Sequence, residues 1–193
     1  MISVHARFDG TAATARIRVE WALSTVASTL PELVYLSLGS NVGNRAAHLR
    51  AAIERLAEAG TVKARSSLYE TEPVDFRDQP WFLNCVVALE TGNSPRDLLA
   101  HALAIEEGMG RRRTRDKGPR TIDIDILLFE DCVLDEPGLK IPHPAMHERR
   151  FVLEPLAEIA AEAVHPVLKE TARQLLEALP TGQSVRRVEA GRG

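Results

Sequence analysis

Two aspartates, Asp123 and Asp125, stand two residues apart in the apolar run GPRTIDIDILLF, residues 118–129. In a strand, residues i and i+2 face the same way, roughly 6.5–7 Å apart along the chain. The two carboxylates therefore project together, while Ile122, Ile124 and Ile126 fill the opposite face. Carboxylates held that close repel and raise each other's pKa unless a cation neutralises them. Hard oxygens on a rigid strand, with coordination positions left for phosphate oxygens, suit Mg²⁺. A half-exposed strand with a plain polar face is the simpler alternative for an isolated D-x-D. The flank shifts that balance: GRRRTRDKGPR places Arg111, Arg112, Arg113, Arg115, Lys117 and Arg120, six cations in ten positions, against Asp116. Charge runs are commonly solvated loops, but this one runs straight into the paired carboxylates. Together they form a complementary set in which aspartates hold metal, metal holds polyphosphate, and forked guanidiniums neutralise the remaining oxygens. The loop's glycines give it freedom to close over a substrate and expel water.

A second group lies in YETEPVDFRDQPWFLN. Phe82 and Asn84 share one strand face, an aromatic plane beside an amide that both donates and accepts. That pairing suits a flat, nitrogen-rich heterocycle, stacked and read along its edge; equally, Phe82 can be core and Asn84 a turn cap. The proline-rich loop with Trp81 offers another wall. His143, in the run PHP, is structural or functional. Arg149 and Arg150 either reach phosphate or stay solvated, and Glu106, late in its helix, either meets an adenine or ribose or faces water.

The elements that must position these residues are legible from Val34 onward. LVYLSLGSN reads as a strand entering a turn, and 44–59 as a helix with Leu49, Ala52, Ile53 and Leu56 inward, closed by Gly60. VKARSSLYE alternates as one strand, TEPVDFRDQPW is a loop, and FLNCVVALE is a strand. Ser94, Pro95 and Asp97 open a helix running to about Met109 with Leu98, Ala102 and Ile105 inward. After the basic loop come the aspartate strand, a DEPG turn, and a helical stretch that Pro155 is expected to break or restart. Leu168, Ala172, Leu175 and Leu179 mark a last helix, and 184–188 a short strand. The expected fold is α+β: a ferredoxin-like β-α-β-β-α-β sandwich with a mainly antiparallel sheet flanked by helices. Residues 1–33 are read as an N-terminal extension of unassigned role, 34–180 as the domain and 181–193 as a tail.

Composition narrows the class. The 193 residues suffice for one domain with a sizeable core, and 45% hydrophobic with 26% charged residues is ordinary globular usage. A net charge of −3 supplies no general field for nucleic acid. No apolar run approaches the ~20 residues that span a bilayer. Cys85 and Cys132 have no metal-ligand spacing and read as small buried hydrophobes in a reducing cytoplasm.

The blocks LSLGSNVGNR, LYETEPV, QPWFLNCVVALET, IEEGMGRRR, KGPRTIDIDILLF and IPHPAMHERRFVLEPLAEIA together resemble the 6-hydroxymethyl-7,8-dihydropterin pyrophosphokinases of folate biosynthesis, in unbroken order from about Val34 to Ala160. The resemblance implies transfer of the β,γ-pyrophosphate of ATP to the pterin hydroxymethyl oxygen, with release of AMP. It implies two Mg²⁺ ions at Asp123 and Asp125, and arginines acting at Arg111, Arg113 and Arg120. It also implies nucleotide contacts at Glu106, Ile124, His143 and Arg149. The pterin is expected between Phe82 and Phe151, with Asn84 on its edge and Thr71, Glu72 and Val74 alongside. Partners are expected to be the two small substrates alone, without nucleic acid or membrane, acting on a monomer. Two positions depart from some relatives, Lys117 where they carry tryptophan and Pro144 where they carry tyrosine.

Two other classes account for fewer of these residues. An RNA-binding module with the same fold calls for exposed aromatics on the sheet, yet the chain is only 5% aromatic and these residues cluster in the pterin-like segment. A phosphohydrolase or nuclease built on the D-x-D gives no reason for the Phe82 and Asn84 pair.

Overall fold

A computed structural model describes residues 30–73, 78–110, 118–180 and 182–188. The first strand, β1 (Glu32–Ser40), turns through Gly43, whose φ of +61° lies in the left-handed region, into helix α1 (Arg45–Leu56). Asn44 caps that helix by accepting from the Ala47 N–H. β2 (Thr61–Arg65) and β3 (Tyr69–Thr71) follow, then β4 (Phe82–Thr91) and α2 (Pro95–Gly108). Ser94 caps α2 as the sequence predicts: its hydroxyl accepts from the Asp97 N–H and donates to the Asp97 carboxylate at 2.6 Å. The aspartate strand is β5 (Asp123–Phe129), followed by the hairpin β6 (Leu134–Glu136) and β7 (Leu139–Ile141). Helices α3 (Arg150–Ala160) and α4 (Ala172–Ala178) and a short strand β8 (Val185–Arg187) complete the described chain.

The main sheet has the order β5-β1-β4-β3-β8, with β2 also on β4, and its pairings are antiparallel. Helices cover both faces. Leu49, Ala52 and Leu56 of α1 and Leu98, Ala102 and Ile105 of α2 pack on one face with Leu36, Leu38, Val87, Leu89, Ile124 and Ile126. Val152, Leu153 and Leu156 of α3 and Leu175 of α4 pack on the other with Val86, Leu127 and Leu128. This double cover explains why β4 reads as an almost continuous apolar run. A register shift against β1 at Tyr35/Leu36 inserts one extra residue into β5, so Ile126 and Phe129 enter one core while Leu127 and Leu128 enter the other.

Three expectations change. The strand expected over 62–70 is two strands, β2 and β3. Between them Ser66 takes over the pairing with β4, donating its N–H to the Val86 carbonyl at 2.9 Å and accepting the Val86 N–H on its hydroxyl at 3.0 Å. Pro155 neither breaks nor restarts its helix; α3 runs through it. Proline has no N–H to give the carbonyl four residues back, a loss of about 3 kcal/mol in a helix interior. Burial of Val152, Leu153, Pro155 and Leu156 on the sheet offsets that loss. The last helix excludes Leu168, which is 42% exposed, and begins at a capping box on Thr171 and Gln174.

Candidate active site

Cross-strand register builds the site. On the face covered by α3, Asp123 of β5 stands opposite Gly39 of β1, and Gly39 stands opposite Asn84 of β4. One step along, Asp125 is opposite Ser37. Strands lie about 4.8 Å apart, so the Asp123 and Asn84 backbones stand roughly 10 Å apart with only glycine between them. The middle strand thus leaves a hollow between a carboxylate wall and an amide wall. Gly39 is required there: a Cβ at that position would lie 2.6 Å from Asn84 Oδ1.

That hollow is the floor of a cleft of about 290 Å³ that brings together Thr71, Glu72, Phe82, Asn84, Arg120, Asp123, Asp125, His143, Arg149 and Phe151. Residues separated by 80 positions in the sequence therefore share one space. Ser37, Gly39, Pro73 and Gln79 also line it and were not anticipated; of these, only a glycine inside an apolar strand carries a sequence signal, that of close approach. Val74, Arg111 and Arg113 lie outside the described residues.

The amide side is fixed by neighbours. Asn84 is buried, and its Nδ2 donates to Thr71 Oγ1 at 2.7 Å, which turns Oδ1 over Gly39. Phe82 comes from the sheet and Phe151 from the first turn of α3, and each has a guanidinium beside its ring: Arg120 at 5.9 Å and Arg149 at 5.6 Å.

The carboxylate side carries the strain of like charge. Burial and the neighbouring Asp123 push the Asp125 carboxyl up to about 6, with Glu106 adding to the effect and Arg149 and Arg120 opposing it. Arg120 pairs directly with Asp123. Glu106 is only 2% exposed and its Oε1 accepts the Ile124 N–H at 2.7 Å. It does not face water, as one sequence reading allowed; it grips the strand between the two aspartates. Ile124 is itself 5% exposed and packs in the core on the opposite face, so the strand's side chains divide as the alternation predicts.

His143 is pulled down to about 4, chiefly by burial and then by the nearby Arg149 charge. It is therefore neutral near pH 7. Its Nδ1 accepts the Ala145 N–H at 3.2 Å, which leaves Nε2 as the protonated nitrogen and a donor.

These residues fit a hard divalent cation. Two carboxylates share a face, that of Asp125 with a raised pKa, and no third histidine, cysteine, aspartate or glutamate completes a ligand cluster among the described residues. Such a pair leaves most coordination positions to phosphate oxygens and water, the arrangement Mg²⁺ favours, and is unlike a closed zinc site.

The family model for 7,8-dihydro-6-hydroxymethylpterin-pyrophosphokinase matches residues 35–161. The chain belongs to this family. A 2-amino-4-hydroxy-6-hydroxymethyldihydropteridine pyrophosphokinase of Methylorubrum extorquens is 46% identical to it over 80% of this chain and 98% of that one. The folic acid synthesis protein fol1 of Schizosaccharomyces pombe is 43% identical over 80% of this chain, which spans only 21% of that longer protein. Among solved structures, a Plasmodium falciparum HPPK-DHPS crystallised with pterin and p-hydroxybenzoate superposes with a TM-score of 0.61 at 20% identity. The match covers 76% of this chain and 41% of that one. The pyrophosphokinase domain is thus a mixed helix and antiparallel-sheet fold shared with these proteins. No described helix is long and apolar enough to cross a membrane.

Proposed function

We propose that the protein transfers the β,γ-pyrophosphate of ATP to the hydroxymethyl oxygen of 6-hydroxymethyl-7,8-dihydropterin, releasing AMP. One observation carries the reading most strongly: the cleft joins a paired-carboxylate wall to an aromatic–amide wall across the Gly39 hollow. A hydrolase needs the first wall and a purine- or pterin-binding module needs the second; a transferase between polyphosphate and heterocycle needs both.

Asn84 Oδ1 reads the amino edge of the pterin while Thr71 holds the amide in that orientation. Phe82 and Phe151 sandwich the ring, with Glu72 beside it and Val74 assigned there from the family resemblance. Asp123 and Asp125 hold Mg²⁺, two ions in our reading, which when bound shield the phosphate charge and favour ionisation of the attacking alcohol. The chain's own groups do the rest. Arg120 stands between Asp123 and Phe82, where its guanidinium meets charge developing on the transferred group. Arg149 and the Nε2–H of neutral His143 offer donors to phosphate oxygens. Arg111 and Arg113 add two more cations to the same polyphosphate, and Glu106 keeps Ile124 and its flanking aspartates in register beneath the nucleotide. The bond broken joins Pβ to the oxygen that bridges it to Pα: the alcohol oxygen attacks Pβ and forms the new O–Pβ bond, its proton leaves to solvent or base, and AMP departs with the bridging oxygen.

The element order and the strand order β5-β1-β4-β3 support the ferredoxin-like reading of the domain. The assignment of 1–33 as an extension and 181–193 as a tail, action as a cytoplasmic monomer, and independence from membrane and nucleic acid belong to the same proposal. The test is incubation with ATP, Mg²⁺ and the reduced pterin, with nucleotides separated by chromatography. AMP in amounts equal to pterin consumed is expected; ADP, or free phosphate without pterin consumption, would sink the proposal.

A further inference from the structure

Asn41 follows β1 directly and is only 2% exposed, yet it does not line the cleft. Its hydrogen bonds go to two separate segments. Its Oδ1 accepts the Arg120 N–H at 2.8 Å, and its own N–H donates to the Arg120 carbonyl at 3.2 Å. Its Nδ2 donates to Gln79 Oε1 at 3.1 Å and to the Pro80 carbonyl at 3.2 Å. The amide orientation is fixed by chemistry, because a backbone N–H can only donate and a carbonyl can only accept. Arg120 belongs to the phosphate wall, where it pairs with Asp123. Gln79 lines the cleft at the end of the segment that enters β4 and Phe82.

Resting on the pyrophosphokinase reading, we infer that Asn41 is a positioning residue that couples the two substrate sites, transmitting the placement of Arg120 to the Gln79–Pro80 side of the pterin pocket. A single buried carboxamide spans both segments, so neither moves without changing the geometry of the other. A nucleotide that draws the Arg120 backbone into place thereby sets the acceptor wall, and a pterin seated on that wall favours the bound position of Arg120. Linkage makes the effect reciprocal.

The test is a binding cycle by titration calorimetry. The probes are the α,β-methylene analogue of ATP with Mg²⁺, which cannot release AMP, and 6-hydroxymethyl-7,8-dihydropterin. Wild-type protein is expected to bind pterin about tenfold more tightly once the analogue is present, within the usual range of coupling factors. Asn41→Ala should bring that factor to within about twofold of unity, with thermal unfolding run alongside as a folding control. Asn41→Asp keeps the acceptor for the Arg120 N–H but loses both donors to Gln79 and Pro80. It should leave analogue affinity within about twofold of wild type and still abolish the coupling. A merely structural role predicts weaker binding of each probe with the coupling factor unchanged, and that result in either folded variant overturns the inference. So does a wild-type protein with no coupling. Absence of AMP from the wild type in the turnover assay overturns the reaction itself; AMP formation with intact coupling in Asn41→Ala overturns only the role of Asn41.

Discussion

Gly39→Ala isolates one wall of the cleft. The new Cβ would stand 2.6 Å from Asn84 Oδ1 and 3.8 Å from Phe82 Cδ1, with no atom of Asp123 nearer than these. Carbon–oxygen contacts that short do not persist, so the carboxamide must retreat by roughly half an ångström or more. Retreat disturbs the 2.7 Å bond from Asn84 Nδ2 to Thr71, worth about 1 kcal/mol net, and about 1–3 kcal/mol if the buried amide is left unsatisfied. The folded protein should therefore survive with a loss of about 1–2 kcal/mol by urea unfolding. Pterin binding should suffer more, since its edge partner is displaced: about 10- to 100-fold in Kd, equivalent to about 1.4–2.8 kcal/mol. Affinity for an Mg²⁺–ATP analogue should change by less than about twofold, because the aspartate wall is untouched. Titration calorimetry with each ligand separates the two. Pterin affinity unchanged in a folded Gly39→Ala protein, or equal losses for both ligands, would refute the division of the cleft into two walls.

Further predictions follow from the carboxylate side and its supports. Asp125→Asn should abolish AMP formation, yet stabilise the metal-free protein at pH 7.5. The Asp125 carboxyl titrates near 6 when folded, against 3.8 as the ordinary value, so the folded state binds more protons between those values. Stability from this group is complete below 3.8 and lost as pH rises through about 6. The gain from Asp125→Asn should accordingly be larger at pH 7.5 than at pH 4.5 in urea unfolding without Mg²⁺; equal gains would mean the carboxyl is not strained. Glu106→Ala leaves the Ile124 N–H without its carboxylate, and should cost about 1.5–3 kcal/mol of stability along with turnover; a folded, fully active variant would show that the strand needs no grip there. Thr71→Val should weaken pterin binding about tenfold, since about 1.4 kcal/mol is one hydrogen bond's worth, and leave nucleotide binding alone; parallel losses measured by titration would contradict the role given to Asn84.

Much of the site was visible in the sequence because strands have a strict period. Asp123 and Asp125 share a face for the same reason that Phe82 and Asn84 do, and Ser94, Pro95 and Asp97 announced α2 through local capping chemistry. Period alone could not place Gly39 opposite both Asp123 and Asn84, because register is set by pairing between strands far apart in the chain. Nor could it find Asn41, whose four hydrogen bonds join residues 38 to 79 positions away. Glu106 stays open between nucleotide and water in the sequence because late helix positions look alike until β5 is laid against α2, where burial excludes the water-facing reading. Pro155 was misread because intrinsic helix preference was weighed without the sheet beneath α3, and the strand expected over 62–70 because Ser66 imitates a strand residue on one side only.

The most direct test of the account follows phosphorus itself. ³¹P NMR of a reaction containing ATP, Mg²⁺ and 6-hydroxymethyl-7,8-dihydropterin should show both the β and the γ phosphorus leaving ATP together. They should reappear as one diphosphate ester on the pterin, beside AMP, and Asp125→Asn should show no change over the same time. Transfer of the γ phosphorus alone, leaving ADP, or release of inorganic phosphate or pyrophosphate without esterified pterin, would contradict the central claim.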